Sequence, residues 1–238
     1  MAPPEGWAGS EIRLDREETH HAVNVLRVAS PDVVTVADGN GRVARCSVAR
    51  LEGDTLVAEI LEVVEHRRLR PEVVVYQGAA KGKKLDDAFE RLAELGIGQF
   101  WAFGSARSVV EWDRNKTERV VQRWQALARS GAKVARSPFT TDVGGVLSWT
   151  ELLRRIAQET FSVVLWEEAS LPMRTAFVGE PDRIALVVGP EGGLERAEAE
   201  ALADAGGQLV SLGPRIFRTE NASVVAVSAL LFHFGLIG

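Results

Sequence analysis

Two glycine-bearing stretches carry the residues best suited to hold a small ligand: Val187-Val188-Gly189-Pro190-Glu191-Gly192-Gly193-Leu194 and Ser211-Leu212-Gly213-Pro214-Arg215-Ile216-Phe217-Arg218-Thr219-Glu220-Asn221-Ala222. Each follows a strand-like apolar run and leads into a helical pattern. Glycine lets a backbone approach a ligand closely, and the helix that follows presents unpaired N–H groups. Neither stretch has the GxGxxG spacing of a dinucleotide site or the Gly-Lys-Ser/Thr ending of a phosphate loop, which argues against a nucleotide-utilising α/β enzyme. Alone, the first stretch serves a tight strand-to-helix turn as readily as a ligand. Arg218, set directly before a very apolar helix, reads alone as a surface cation. Together they say more, because loops after successive strands of an α/β sheet gather at one edge, where ligands bind. The four histidines form no metal-ligand pattern.

Composition bounds the chemistry further. With 238 residues, 46% of them hydrophobic, the chain can bury one large core or two modest ones. Its single cysteine, Cys46, cannot form an internal disulfide, which fits a reducing compartment. No basic start with an apolar stretch opens the sequence and no 18-residue apolar run occurs, so a cytoplasmic location is expected. The net charge of −5 excludes a general nucleic-acid coat, so any RNA contact must be local. The most basic segment runs from Arg107 to Arg136, with eight Lys and Arg against Glu111, Asp113 and Glu118. On charge alone it reads first as a solvated helix face, since Val120, Trp124 and Leu127 suit the opposite, buried side.

The elements that must position these groups divide the chain near Pro71. Before it, Val33–Val36, Arg42–Val48 and Thr55–Val64 alternate as strands, and Asp38-Gly39-Asn40-Gly41 predicts a hairpin turn. Thr19–Val28 reads as a short helix or turn between strands, with Thr19 as a candidate cap. Together these predict a small β-barrel over residues 1–70. From Pro71 to Gly238, strands at Val73–Gln77, Phe100–Phe103, Phe161–Trp166, Arg183–Val188 and Leu209–Leu212 alternate with helices, the pattern of a mostly parallel sheet covered on its faces. The helices are expected over Lys83–Leu95, Lys116–Ala135, Thr150–Gln158, Leu194–Ala205 and Glu220–Phe234, with Gly96 closing the first and Thr219 capping the last.

In this order, GPEGG and LGPRIFRTENA resemble the paired cofactor loops of SPOUT methyltransferases, specifically the enzymes that methylate N3 of a uridine in small-subunit ribosomal RNA. The resemblance spans nearly the whole chain. It includes His20-His21 with Val25-Leu26-Arg27, the Asp38–Gly41 turn, Lys81-Gly82-Lys83-Lys84-Leu85-Asp86, Glu94-Leu95-Gly96 and Arg107-Ser108-Val109. The chain departs from the family pattern at Asn221, at Val134-Ala135 before Arg136, and at Thr141, where a proline is usual.

The resemblance implies a PUA-like β-barrel at the N-terminus, a catalytic α/β domain whose C-terminal segment threads a deep trefoil knot, a homodimer, and S-adenosylmethionine as cofactor with no metal. It implies cofactor contacts from Leu165, Trp166, Gly189, Pro190, Glu191, Gly192, Gly193, Leu212, Gly213, Arg215, Ile216, Phe217 and Arg218. Arg218 is the expected electrostatic stabiliser of the uracil anion, and Glu220 the expected proton acceptor or orienting group. RNA contacts are expected from Arg27, Lys81, Lys84, Arg107 and Arg136, each of which also serves as an ordinary surface charge. The substrate is then small-subunit ribosomal RNA, free or in the assembled subunit. Two rival readings share the sequence: ribose 2′-O-methylation by a related enzyme, and a non-catalytic RNA-binding protein of ribosome assembly.

Overall fold

The computed structural model describes residues 1–81, 83–107 and 112–238. Gly82, Ser108, Val109 and Glu111, which belong to stretches singled out above, lie outside the described residues. Two compact units emerge. One comprises Met1–Arg68 with Ala132–Thr140, the other Leu69–Gly131 with Thr141–Gly238.

The first unit is built on five antiparallel strands: β1 (Trp7–Ala8), β2 (Glu11–Arg13), β3 (Val33–Ala37), β4 (Arg42–Glu52) and β5 (Thr55–Glu65), in the order β1-β2-β5-β4-β3. The Asp38–Gly41 turn joins β3 to β4 as the sequence predicts. Asp38 Oδ1 accepts from the backbone N–H of Asn40 (2.7 Å) and of Arg42 (3.0 Å). Inward residues Ile12, Ala44, Cys46, Leu56 and Ala58 form the core of this sheet. Helix α1 (Arg16–His20) corrects one expectation: Asp15 is its cap, accepting from the Glu18 N–H. Thr19 is buried instead, donating to the Leu14 carbonyl and accepting from Leu56 N–H, which ties the helix to β5. The helix runs on as a π-helical turn over His21–Val25.

The second unit is a six-stranded parallel sheet: β6 (Glu72–Gly78), β7 (Gln99–Phe103), β8 (Asp142–Leu147), β9 (Ser162–Leu165), β10 (Arg183–Val188) and β11 (Gly207–Val210), in the order β11-β9-β10-β6-β7-β8. Central strands β6 and β10 are buried along both faces, which is why they read as near-continuous apolar runs. Alternate residues feed two cores. Val73, Val75, Ile184 and Leu186 meet helices α2 (Lys84–Glu94), α3 (Arg114–Val134) and α6 (Thr219–His233). On the other face, Val74, Tyr76, Ala185 and Val187 meet α4 (Trp149–Ile156) and α5 (Arg196–Asp204). The tandem of Phe89, Phe100 and Trp124, with ring centroids 4.5–6.2 Å apart, locks α2 and α3 onto β7.

Strand β8 is absent from the sequence reading. Its Gly144-Gly145 pair breaks the β-branched pattern, and the reason is steric: the register slips between Phe100 and Trp101, and a Cβ on Gly144 would lie 2.0 Å from the Trp101 ring. Ser148, also unanticipated, starts α4 through a reciprocal capping box with Glu151. Leu92, fully buried between α2 and the sheet, should cost about 2–5 kcal/mol on replacement by alanine, from lost transfer energy plus the cavity left behind. Denaturant unfolding of Leu92→Ala against the parent chain measures this, and a loss below about 1 kcal/mol would mean that the site collapses or is not core.

Candidate active site

The carboxyl ends of β9, β10 and β11 converge on a cavity of about 830 Å³, within the size range of small-molecule sites. Leu165, Trp166 and Glu167 enter from β9, Val188 to Leu194 from the loop after β10, and Ser211 to Glu220 with Ala222 from the loop after β11 and the start of α6. Lys84 closes the side nearest α2. Every residue that the resemblance assigns to the cofactor lines this one cavity, as do Arg218 and Glu220.

One hydroxyl joins the two loops. Thr219 is the first residue of α6 and not its cap, a position held by Arg218 without a side-chain bond. It is free to bridge because it does not cap: its hydroxyl accepts from Gln77 Nε2 at 2.7 Å and donates to the Gly189 carbonyl at 2.6 Å. Gln77 is a buried amide at the end of β6, a polar break in an otherwise apolar strand. Next to it, Gly78 allows the Gly189-Pro190 backbone to pass, since a Cβ there would sit 2.2 Å from the Pro190 nitrogen. Gly193 holds φ +71°, turning the chain toward α5.

The loop after β10 is also held from outside. Glu191 accepts from the Lys81 backbone N–H at 2.9 Å and pairs with Lys84 Nζ at 3.2 Å. The Lys81 N–H, aided by the Lys84 ammonium, keeps the Glu191 carboxyl below its ordinary range. Arg107 donates to the Gly192 carbonyl at 2.9 Å and lies 3.4 Å from Glu195. Buried Glu198 accepts from the N–H groups of Ala106 and Glu195, which pins the stretch carrying Arg107 to the start of α5. Lys81, Lys84 and Arg107 thus brace the loop. Arg27 and Arg136 belong to the other unit, where both are exposed, and they are the two non-glycine residues with positive φ among the described residues (57° and 52°).

The cavity walls mix apolar surface from Leu165, Val188, Leu194, Leu212 and Phe217 with carboxylates from Glu167, Glu191 and Glu220 and cations from Lys84, Arg215 and Arg218. Glu220 Oε2 is buried and has no donor among the described residues. Such a lining suits a ligand with a flat apolar body, a positive centre and a zwitterionic end; S-adenosylmethionine has these parts, so the donor set fits it. Gln77 and Glu167 lie outside both glycine-bearing stretches, while Ser211 and Thr219 lie within the second without an assigned ligand contact. The isolated glutamine in a strand run was the one sequence signal for Gln77.

Residues 67–231 match the family model of the RNA methyltransferase domain, and residues 14–61 that of the RNA methyltransferase PUA domain. The larger part of the chain is thereby an RNA methyltransferase domain. Ribosomal RNA small subunit methyltransferase E of Mycobacterium bovis is 35% identical over 226 residues, covering 93% of this chain and 86% of that protein. The Bacillus subtilis protein of the same name is 34% identical over 229 residues, covering 93% and 90%. The chain belongs to this ribosomal RNA small subunit methyltransferase E family. A methyltransferase from Legionella pneumophila, solved in complex with the bound cofactor SAM, superimposes with a TM-score of 0.87 at 25% identity over 98% of this chain and 96% of that one.

Two outcomes follow from this geometry. Thr219→Val keeps the shape but strands Gln77 and the Gly189 carbonyl, so stability should fall by about 1–3 kcal/mol and the amides of residues 189 and 191–194 should exchange faster; Thr219→Ser should restore both. Unchanged exchange would show that the hydroxyl does not hold the loop. Acid should act through Glu191: its folded pKa is lowered, so the tether is complete above the ordinary carboxylate range and is lost as pH falls through the lowered value. Loop protection factors, with the intrinsic pH dependence of amide exchange divided out, should fall in that window in the parent and stay flat in Glu191→Gln.

Proposed function

We propose that this chain transfers a methyl group from S-adenosylmethionine to N3 of a uridine in the small-subunit (16S) ribosomal RNA. The observation that carries this reading is the single cavity where both glycine loops, Arg218 and Glu220 meet. It is supported by the cofactor in the Legionella structure and by the names of the relatives above. Bound there, the cofactor supplies an electrophilic methyl on a sulfonium, and the protein's work is to hold the reactants in line, worth roughly 7–11 kcal/mol when geometry is near attack.

The backbone around Leu165, Gly189, Gly192, Leu212 and Ile216 holds the cofactor, with Trp166, Pro190, Glu191, Gly193, Gly213, Arg215 and Phe217 completing the walls. Uracil N3 carries a weakly acidic proton that must leave before or during transfer. Glu220, with a buried oxygen lacking a donor among the described residues, takes or orients that proton. Arg218, exposed at the rim, places its guanidinium against the uracil oxygen on which negative charge develops. Because N3 lies on the Watson–Crick edge, the uridine is unpaired or flipped when it reacts.

Residues 1–70 act as a PUA-like, RNA-binding barrel and 71–238 as the catalytic domain with its knotted C-terminal segment. Arg27, Lys81, Lys84, Arg107 and Arg136 contact the RNA. The active form is a homodimer. Helix α6 is apolar on all sides, and Val225 and Phe232 stay exposed on it (38% and 69%), with Ile216 of the cavity loop 91% exposed; a partner subunit covers such surface. Among the described residues no helix is long and apolar enough to cross a membrane, and a ribosomal substrate places the enzyme in the cytoplasm.

The decisive experiment transfers a labelled methyl group to naked ribosomal RNA and to small subunits, then identifies the nucleoside by mass spectrometry. 3-Methyluridine is expected; a 2′-O-methylated nucleoside or no transfer would overturn the reading. Arg218→Ala should lower kcat about 10²–10³-fold while cofactor and RNA still bind, and full turnover in that variant would remove Arg218 from the chemistry.

A further inference from the structure

A second cavity, of about 630 Å³, opens beside the first between the start of α2 and the N-terminal half of α3. Its walls are aromatic and apolar where Trp112, Trp124, Leu85 and Val120 face it, and cationic where Lys81, Lys116, Arg119 and Arg123 reach it. The two acids at this cavity are already engaged. Asp86 accepts from Arg123 at 2.9 Å and from the Trp124 indole at 2.8 Å, while Asp113 accepts from the Lys116 backbone N–H at the start of α3. Arg119 has no ion pair among the described residues and is exposed. Trp112 lines the cavity as a half-buried ring, with Lys116 Nζ 5.3 Å from its centroid.

The two cavities share a wall. Lys84 faces the first, while the next two residues, Leu85 and Asp86, face the second. Lys81, on the rim of the second, gives its N–H to Glu191 of the first. The two cavities are thus walled by adjoining residues of α2, an arrangement open to one continuous strand.

We propose that this cavity takes an unpaired nucleotide next to the methylated one. Its phosphate lies against Arg119 and Lys81, and its base packs on the exposed part of the Trp112 ring. The proposal rests on the methyltransfer reading for the identity of the strand. The basic run of α3 then holds the strand on one side of the reacting base, so that the uridine is drawn into the first cavity.

The test compares the full chain with Arg119→Ala and Trp112→Phe, using a short fluorescein-labelled oligouridylate over a range of salt concentrations. Calorimetry with S-adenosylmethionine runs in parallel. Arg119→Ala should weaken RNA binding and reduce the slope of log affinity against log salt by about 0.7, the loss of one phosphate contact on a single strand. Trp112→Phe, which trims the ring the base packs on, should weaken binding roughly three- to tenfold, part of one base–aromatic stack, with the salt slope unchanged. Cofactor affinity should stay at the parent value in both. Parent-like RNA affinity and slope in both variants would overturn the second cavity, as would a parallel fall in cofactor affinity, which marks general damage to the fold. A parent chain that fails to bind S-adenosylmethionine sinks the methyltransfer reading instead, and selective loss of RNA affinity in the variants would then still support a nucleotide site here.

Discussion

The Thr219 hydroxyl, held between Gln77 and the Gly189 carbonyl, is the constraint on which the site depends. It fastens the start of α6 to the end of β6 and to the loop after β10, so two glycine loops from separate strands become walls of one cavity. Each partner is buried or half-buried, and an unmade bond at either one costs more than a made one contributes. Gly78 completes the arrangement by leaving room for Pro190, where any side chain would force the loop away. The cavity is thus built by a few short-range contacts at the carboxyl edge of a rigid parallel sheet, not by the loops' own preferences.

Around that centre, charges act as braces. Glu191 pairs with Lys84 and also accepts the Lys81 main-chain N–H, and Arg107 is drawn to the Gly192 carbonyl and Glu195. Lys84 and Arg107 thus hold the loop after β10, so a phosphate that approaches Lys84 meets a residue already committed to Glu191. The contacts are half-exposed, and surface pairs of this kind are individually weak. Their effect is to select one loop position among several, which is what in-line transfer asks of a site.

Much of this was legible in the sequence. The strands of the parallel sheet showed themselves as apolar β-branched runs, α2 through the spacing of Leu85, Phe89 and Leu92, and the β3–β4 hairpin through Asp38-Gly39-Asn40-Gly41. Both cavity loops were legible as a pair, because each glycine cluster stands between a strand and a helix. What escaped had a common physical cause, tertiary contact overriding local pattern. Strand β8 hides behind a Gly-Gly pair demanded by the Trp101 ring. Thr19 and Thr219 look like caps because threonine before a helical run usually is one; both instead turn their hydroxyls to distant partners, Leu56 and Gly189. No local signal distinguishes these uses.

Gln77 and Thr219 stand 142 positions apart in the chain, and β10, which sits against β6, follows it by more than a hundred residues. Contacts this remote close late, after the loop entropy between them has been met. During synthesis the sheet can begin with β6, β7 and β8, yet the cavity has no floor until β10 and β11 emerge, and no clasp until α6 begins. A truncated or stalled product therefore lacks a competent site, and ligand binding is the property of a chain synthesised almost to its last helix.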